Sequence, residues 1–543
     1  MKEFINRYKF YILIFFLAVI PLYSLFSQQL LFTQDGYTHL VRGAAYFKAL
    51  SNFEIPPRWA GELNYGYGMP LFIFVFQLPY QLFSLLIAFG FSLSNAFRIL
   101  IFASYFLSGV TMFLFSKKFF KDTKTAFLVT MLYQFFPYRF VDLIIRGSIG
   151  EAFTFVFLPL VLYGILELNE KKSIRGLVIV ILGTSSLLLS HLATGGVFIG
   201  LAILFNIFFS RNLKKFIIAN LSIVFGFLVA AYYVIPAIIE HKYTYGDLFV
   251  KDLFKENIVP FEKLFSISPI NNQWVRMGDV PVNLGLSHLL IFGFLLFAVI
   301  SYKKFKKRDK KLIGFIAIVT FSSMIMMLTI SRPIWENVTL LRQFQFPWRF
   351  LAPIGFALAL TGGLLGVYLK SKKVFVFGIL LIVLISMPFW IPALGYKKVD
   401  EKYYWNFPLT TTYFGETDII WSAGPAKDYP KSRVEFTKGN GNITSFVSNN
   451  SSQKFLIFSE EESEMVSHTQ YFPGWVVRID GSKTPIQFQD QNHRGEILFT
   501  VPAGSHSIEI KFEESKIRFV SNILTFLSLV LLFPFVFIIK KYL

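Results

Sequence analysis

The chain has 543 residues, of which 54% are hydrophobic, 16% are charged and 67 are phenylalanine, with a mean hydropathy of +0.54, more apolar surface than a soluble fold can hide. Its formal charge of +20 does not mark a nucleic-acid groove. The basic residues gather in short stretches between apolar runs, as in Lys117/Lys118/Lys121/Lys124 and Lys303/Lys304/Lys306/Lys307/Arg308/Lys310/Lys311, the pattern of cytoplasmic loops in a membrane protein. Cysteine is absent, which excludes disulfides and thiolate metal or redox chemistry.

A bilayer crossing needs about 20 apolar residues. Apolar runs lie near 10–27, 70–90, 97–115, 126–140, 151–167, 174–190, 194–210, 216–239, 284–301, 312–330, 349–369, 373–392 and 518–539. The first follows Lys2, Arg7 and Lys9 as a signal peptide would, but it contains Pro21 and ends in Ser27-Gln28-Gln29 without a small-residue cleavage site, so it reads as a retained helix. Basic clusters put the N-terminus, 116–125, 168–175, 211–215, 302–311, 370–373 and Lys540-Lys541 in the cytoplasm. That assignment leaves one run too many before Lys117. The run 70–90, with Pro70, Gln77, Pro79 and Gln81, is read as re-entrant or interfacial, giving twelve crossings with both termini inside; thirteen is the alternative.

The remaining polar loops then face outward: 28–69, 140–150, 191–193, 240–283, 331–348 and 393–517. The last alternates polar and apolar residues, with strands expected at Val476–Ile479, Ile497–Thr500 and His506–Ile510 and turns at Asp480-Gly481 and Ala503-Gly504. The expected architecture is an α-helical polytopic membrane module over 1–392, a small extracytoplasmic β-sandwich-like domain over 393–517, and a last transmembrane helix over 518–543.

On the outward face, Asp35-Gly36-Tyr37-Thr38-His39 follows the first helix. Asp35 suits either an N-cap or an interfacial acid whose pKa is raised by desolvation, and a helix from Gly36 puts His39 on its side, as an acid–imidazole pair or part of a metal site. Pro57-Arg58-Trp59 and Tyr65-Gly66-Tyr67-Gly68-Met69-Pro70 follow. In Arg146-Gly147-Ser148-Ile149-Gly150-Glu151 an arginine and an acid meet at a helix start, where capping and chemistry are both served. His191 and Glu240 stand singly at helix ends. Arg332, Arg342 and Arg349, the last within Phe344-Gln345-Phe346-Pro347-Trp348-Arg349-Phe350, run against the positive-inside bias and suit phosphate binding beside a lipid tail. Tyr471-Phe472-Pro473-Gly474-Trp475 reads as a strand entering a turn. There is no P-loop, H-E-x-x-H, G-x-S-x-G or dinucleotide fingerprint.

Taken in order, Asp35-Gly-Tyr-x-His39, Pro57-Arg58-Trp59, Arg146-Gly-x-x-x-Glu151, Ser190-His191-Leu192, Pro236-Ala-x-x-Glu240, Phe344-Gln-Phe-Pro347-Trp-Arg349-Phe and Tyr471-x-Pro-Gly474-Trp475 resemble the bacterial YfhO-like, "6-pyruvoyl-tetrahydropterin synthase-related" multi-pass proteins of the GT-C glycosyltransferase superfamily. The resemblance implies a GT-C-like fold of 12–13 transmembrane helices and inverting transfer, on the outer face of the cytoplasmic membrane, of a sugar from a polyprenyl-phosphate donor. It also implies a central acid in the first outer loop, here Asp35. His39, Arg58, Arg146, Glu151, His191, Glu240, Arg332, Arg342 and Arg349 are the substrate-binding candidates. Asp35 is followed by Gly36 and Tyr37, so the strict paired-carboxylate motif is absent and a divalent metal is left open as cofactor. The acceptor is a teichoic acid or other envelope glycopolymer, a glycolipid or a protein. Two other readings are a transporter or flippase of lipid-linked sugars and a non-catalytic envelope-assembly protein.

Overall fold

Apolar helices in this chain begin where a short polar side chain satisfies their first free amides. Asp122 Oδ2 accepts from Thr125 N at 2.7 Å, Ser92 Oγ from Asn95 N at 3.3 Å and Asn212 Oδ1 from Lys215 N at 2.9 Å. The structure, a computed structural model, describes residues 2–170, 173–246, 250–267, 282–369, 371–406 and 417–542. Parts of the loops 240–283 and 393–517 therefore lie outside the described residues.

Among the described residues seven helices are long and apolar enough to cross a membrane: Leu93–Phe120, Ile149–Glu170, Leu192–Phe209, Lys307–Met327, Pro347–Tyr368, Lys372–Phe389 and Lys516–Lys540. Two bent pairs, Thr123–Gln134 with Pro137–Arg146 (53°) and Leu213–Val229 with Ala231–Tyr243 (73°), raise the number to nine. Four shorter apolar helices, Tyr8–Val19, Leu78–Ala88, Ile174–Ser190 and Leu286–Ile300, complete the set, so every apolar run of the sequence contains a helix.

Within the run 70–90 the chain breaks between Leu71–Phe74 and Leu78–Ala88. Gln77, fully buried, holds the break: its amide donates to Phe72 O at 2.6 Å and accepts from Tyr46 Oη at 2.8 Å. The 11-residue second piece spans about 16 Å, roughly half of a hydrocarbon core.

Ile149–Glu170 and Pro347–Tyr368 are buried along most of their length, whereas Lys516–Lys540 is exposed along most of its own. The two interior helices are the ones whose first turns carry Glu151 and Arg349.

Residues 434–512 form the β-rich part. A five-stranded antiparallel sheet runs in the order Gly441–Ser448, Ser452–Ser459, Gly504–Phe512, Trp475–Ile479, Ser482–Thr484, and a three-stranded sheet in the order Val434–Lys438, Ser463–Gln470, Glu496–Val501. Alternate residues such as Phe455, Ile457, Val477, Ile508 and Ile510 point into one core. That core also holds Trp59 and Ile73 from the first loop region. Trp59 meets Trp475 edge-on at 5.2 Å between ring centres. A two-stranded pair, Leu30–Leu31 with Tyr396–Lys397, ties the beginning of the same loop to the chain beyond Lys372–Phe389.

Candidate active site

The turn into the helix Gly36–Ser51 is capped by Thr33 and not by Asp35. Gly36 N–H donates to Thr33 Oγ1 at 3.0 Å, and Asp35, although it holds the N-cap position, makes no side-chain capping bond. Close packing enforces the arrangement: a Cβ at Gly36 or at Gly147 would stand 2.3 Å from the same Thr33 hydroxyl, and Gly147 has φ +69°. The two segments are laced by Gln34 N–H to Ile145 O (2.9 Å) and Asp35 N–H to Arg146 O (2.7 Å).

Relieved of capping, the Asp35 carboxylate faces Arg146, Oδ2 to Nη2 4.0 Å, and its side chain is 39% exposed against 7% for Arg146. It is the open end of a buried network. Val141–Arg146 is a π-helical turn, a form frequent at functional sites, and it brings Asp142 Oδ1 to 3.0 Å from Arg146 Nη1. The same nitrogen donates to Glu151 Oε2 at 2.7 Å. Glu151, fully buried, also accepts from Tyr138 Oη (2.6 Å) and Arg349 Nε (3.3 Å). Arg349 Nη1 donates to Phe344 O (2.8 Å) and Gln345 Oε1 (3.2 Å), so the 344–349 segment wraps the cluster. Aromatic faces close it: Arg146 lies 5.0 Å from the Trp348 ring centre and Arg349 4.9 Å from that of Phe346.

Withdrawal from bulk water pushes the Asp35 carboxyl above its ordinary range, opposed by Arg146, Arg42 and Arg349 and assisted by Glu151. His39, one turn along the helix, is buried and pushed down to about 3, first by burial and then by Arg42 and Arg146, so it is neutral. Its Nδ1 is 2.8 Å from Tyr80 Oη, while Nε2 is buried without a hydrogen-bond partner among the described residues.

The structure thus gathers Asp35, Arg146, Glu151 and Arg349 into one network, with His39 on the helix beside it. His191 caps Leu192–Phe209, accepting from Thr194 N at 3.2 Å, and its ring lies tilted 6.2 Å from that of Phe76. Arg58 lies elsewhere, donating to Glu514 Oε1 (3.2 Å), Tyr232 O (2.9 Å) and Asn522 Oδ1 (2.9 Å). Glu240 accepts from Ser515 Oγ at 2.5 Å and pairs with Arg518 at 3.4 Å. These two tether the first loop and the Ala231–Tyr243 segment to the last helix. Arg332 pairs with Glu336 at 2.8 Å in the open, and Arg342 donates to Glu336 O at 2.5 Å. Sequence reasoning missed Tyr138, Asp142 and Arg42; the Asp142-x-x-x-Arg146 spacing, one helical turn before Glu151, was the available signal.

A family model described as a 6-pyruvoyl-tetrahydropterin synthase related domain of membrane proteins matches residues 74–393, which include Asp142, Arg146, Glu151 and Arg349 and leave Asp35 outside. An uncharacterized protein of Lactococcus lactis subsp. cremoris (strain MG1363) is 22% identical over 317 residues, covering 55% of this chain and 50% of that protein, so the match spans about half of each. Among solved structures, the arabinofuranosyltransferase AftD from Mycobacteria is similar at a TM-score of 0.41 and 12% identity over 70% of this chain and 26% of that one. The oligosaccharyltransferase of Archaeoglobus fulgidus is similar at 0.41 and 13% over 75% and 56%.

Proposed function

The chain belongs to the 6-pyruvoyl-tetrahydropterin synthase related family of membrane proteins, and from that premise we propose that it is a glycosyltransferase. In this reading it moves a sugar from a polyprenyl-phosphate donor to a hydroxyl of an envelope glycan, glycolipid or protein on the extracytoplasmic face. The observation that carries the reading is Asp35: an acid at a helix start that leaves capping to Thr33, stays 39% open, and is backed by a buried network of fixed charge. A purely structural acid would spend its oxygens on the free amides.

In the proposed reaction the donor's tail remains in the bilayer and its anomeric carbon comes to the Asp35 cleft. The acceptor hydroxyl attacks C1 from the face opposite the phosphate, and its proton passes to the Asp35 carboxylate as the C–O bond forms. The C1–O bond to phosphate breaks, and its electron pair leaves on the phosphate oxygen. Positive charge from Arg42 and Arg146, which already acts on Asp35, stabilises that oxygen without reorganising at the moment of reaction. Asp142 and Glu151, the latter fixed by the Tyr138 hydroxyl, hold Arg146, and Glu151 with the Phe344 carbonyl holds Arg349. An Asp35 pKa raised by withdrawal from water makes its carboxylate a better base than that of a free aspartate.

Purified protein in proteoliposomes, given a panel of radiolabelled polyprenyl-phosphate sugars and envelope acceptors, tests this. Consumption of a donor by wild type and not by Asp35→Asn is the expected result. Movement of a donor across the bilayer with no consumption would overturn the reading and assign transport.

A further inference from the structure

The strands Ser463–Gln470 and Glu496–Val501 pair antiparallel, but their register jumps between Ser467, opposite Ile497, and Gln470, opposite Glu496. The surplus residues form a bulge, a device that re-aims side chains, and here it brings His468 to Glu496: Nδ1 and Oε2 are 2.6 Å apart. His493 Nδ1 stands 3.7 Å from the same carboxylate oxygen. The turn that presents His493 is itself fastened, because Asp490 Oδ1 accepts from Asn492 N (2.8 Å) and His493 N (3.1 Å), and Glu496 N–H returns to His493 O at 3.1 Å. One ligand atom from each of His468, His493 and Glu496 lies within 4.8 Å of the others.

We propose that His468, His493 and Glu496 form a divalent-metal site of the zinc class in the β-rich domain, with Glu435 as the positioning carboxylate. Two imidazoles and a carboxylate are a donor set that suits zinc. Ligands about 2.1 Å from a tetrahedral ion stand about 3.4 Å from one another, and the separations of 2.6 and 3.7 Å bracket that value. The other ring nitrogen of His468, Nε2, faces Glu435 Oε1 at 3.3 Å across the neighbouring strand, the arrangement by which a carboxylate fixes the tautomer and tilt of a metal-bound histidine. A hydrogen bond accounts for the His468–Glu496 contact, but 3.7 Å is too long to be one, so hydrogen bonding does not explain a fastened turn that aims His493 at the same oxygen. His468, His493 and Glu496 are 10%, 24% and 18% exposed, which leaves a path for the ion and a fourth, solvent position.

The site adjoins the first loop. Tyr67 meets the His468 ring edge-on at 5.8 Å, its carbonyl accepts from Gln470 N at 2.8 Å, and the Arg433 guanidinium donates to Gly66 O. An ion there would stiffen the surface that receives residues 59–69.

The test uses the full chain in detergent, stripped with a chelator, desalted, and titrated with Zn²⁺ against a chromophoric competitor. One tight equivalent per chain is expected, retained in Asp35→Asn and in His506→Ala and lost in His468→Ala and His493→Ala. Glu435→Gln should weaken it about 10- to 100-fold. Zinc K-edge absorption on wild type, with scattering from two imidazoles, keeps the proposal falsifiable if a variant misfolds. No tight equivalent, equal binding by the histidine variants, or loss confined to Asp35→Asn would overturn it.

Discussion

Replacing Glu151 by Gln and Asp35 by Asn separates the two halves of the proposed site, because the same change of a carboxylate to an amide meets opposite surroundings. Glu151 is fully buried and accepts from Arg146 (2.7 Å), Arg349 (3.3 Å) and Tyr138 (2.6 Å). A glutamine of the same shape keeps the two guanidinium contacts only by turning its NH₂ toward the Tyr138 hydroxyl, and in either orientation it removes the negative charge, leaving buried positive charge uncompensated. Breaking a buried pair in this way costs about 3–5 kcal/mol, and Glu151→Gln should show that loss in chemical denaturation of the detergent-solubilised protein, together with loss of transfer. Asp35 is 39% exposed, 4.0 Å from Arg146 and free of capping duty, so Asp35→Asn should change stability by less than about 1 kcal/mol while removing a general base worth about 10²–10⁴-fold in rate. Equal destabilisation by the two changes, or transfer by Asp35→Asn above a tenth of wild type, would refute the division into an open reacting acid and a buried frame.

Three further outcomes follow. Gly147→Ala demands a side chain at φ +69° with its Cβ 2.3 Å from Thr33 Oγ1; it should cost at least about 1 kcal/mol and, by parting Asp35 N–H from Arg146 O, lower kcat for the transfer. Because burial raises the Asp35 pKa and the base must be ionised to act, kcat/KM should fall as pH drops through a limb lying above the ordinary aspartate value of 3.8, and Asp35→Glu should shift that limb. Asp418 is buried and pushed up to about 6 from 3.8 by desolvation, against a hydrogen bond from Gln470. Folding then binds its proton more tightly, so the stability it contributes is present below pH 3.8 and lost as pH rises through 6. Asp418→Asn should stabilise the protein at pH 7 in thermal unfolding, and that gain should vanish below about pH 4.

The helices were legible because the bilayer rule depends only on local composition, and each apolar run contains a helix. Asp35, Arg146, Glu151 and Arg349 were legible for a related reason: charges at the ends of apolar runs stand out. Asp142 was not, since it sits at the edge of an apolar run where an acid reads as chain-end polarity, and only the π-helical turn and the left-handed Gly147 show that it shares Arg146 with Glu151. Arg58 and Glu240 looked the same from the sequence as the charges of the network. Their partners, Glu514, Asn522, Ser515 and Arg518, lie hundreds of residues away, and no periodicity reports such a distance.

The same long-range pairing bears on how the proposed site is held. Residues 33–36 are pinned to 145–147 by two backbone bonds and by the close packing of Thr33 on Gly147, while Trp59 is sunk in the β-domain core and Arg58 reaches the last helix. The helix Gly36–Ser51 therefore spans two anchors, one in the helical interior and one in the β-sheets. Asn450 of the β-rich part reinforces the second anchor, donating to Trp59 O at 2.7 Å and accepting from Gly61 N at 2.6 Å. Any force that displaces the β-domain acts through residues 52–69 on the helix that begins beside Asp35. A domain that packed only on itself could be removed without moving the acid; this one shares a tryptophan with the loop that carries it.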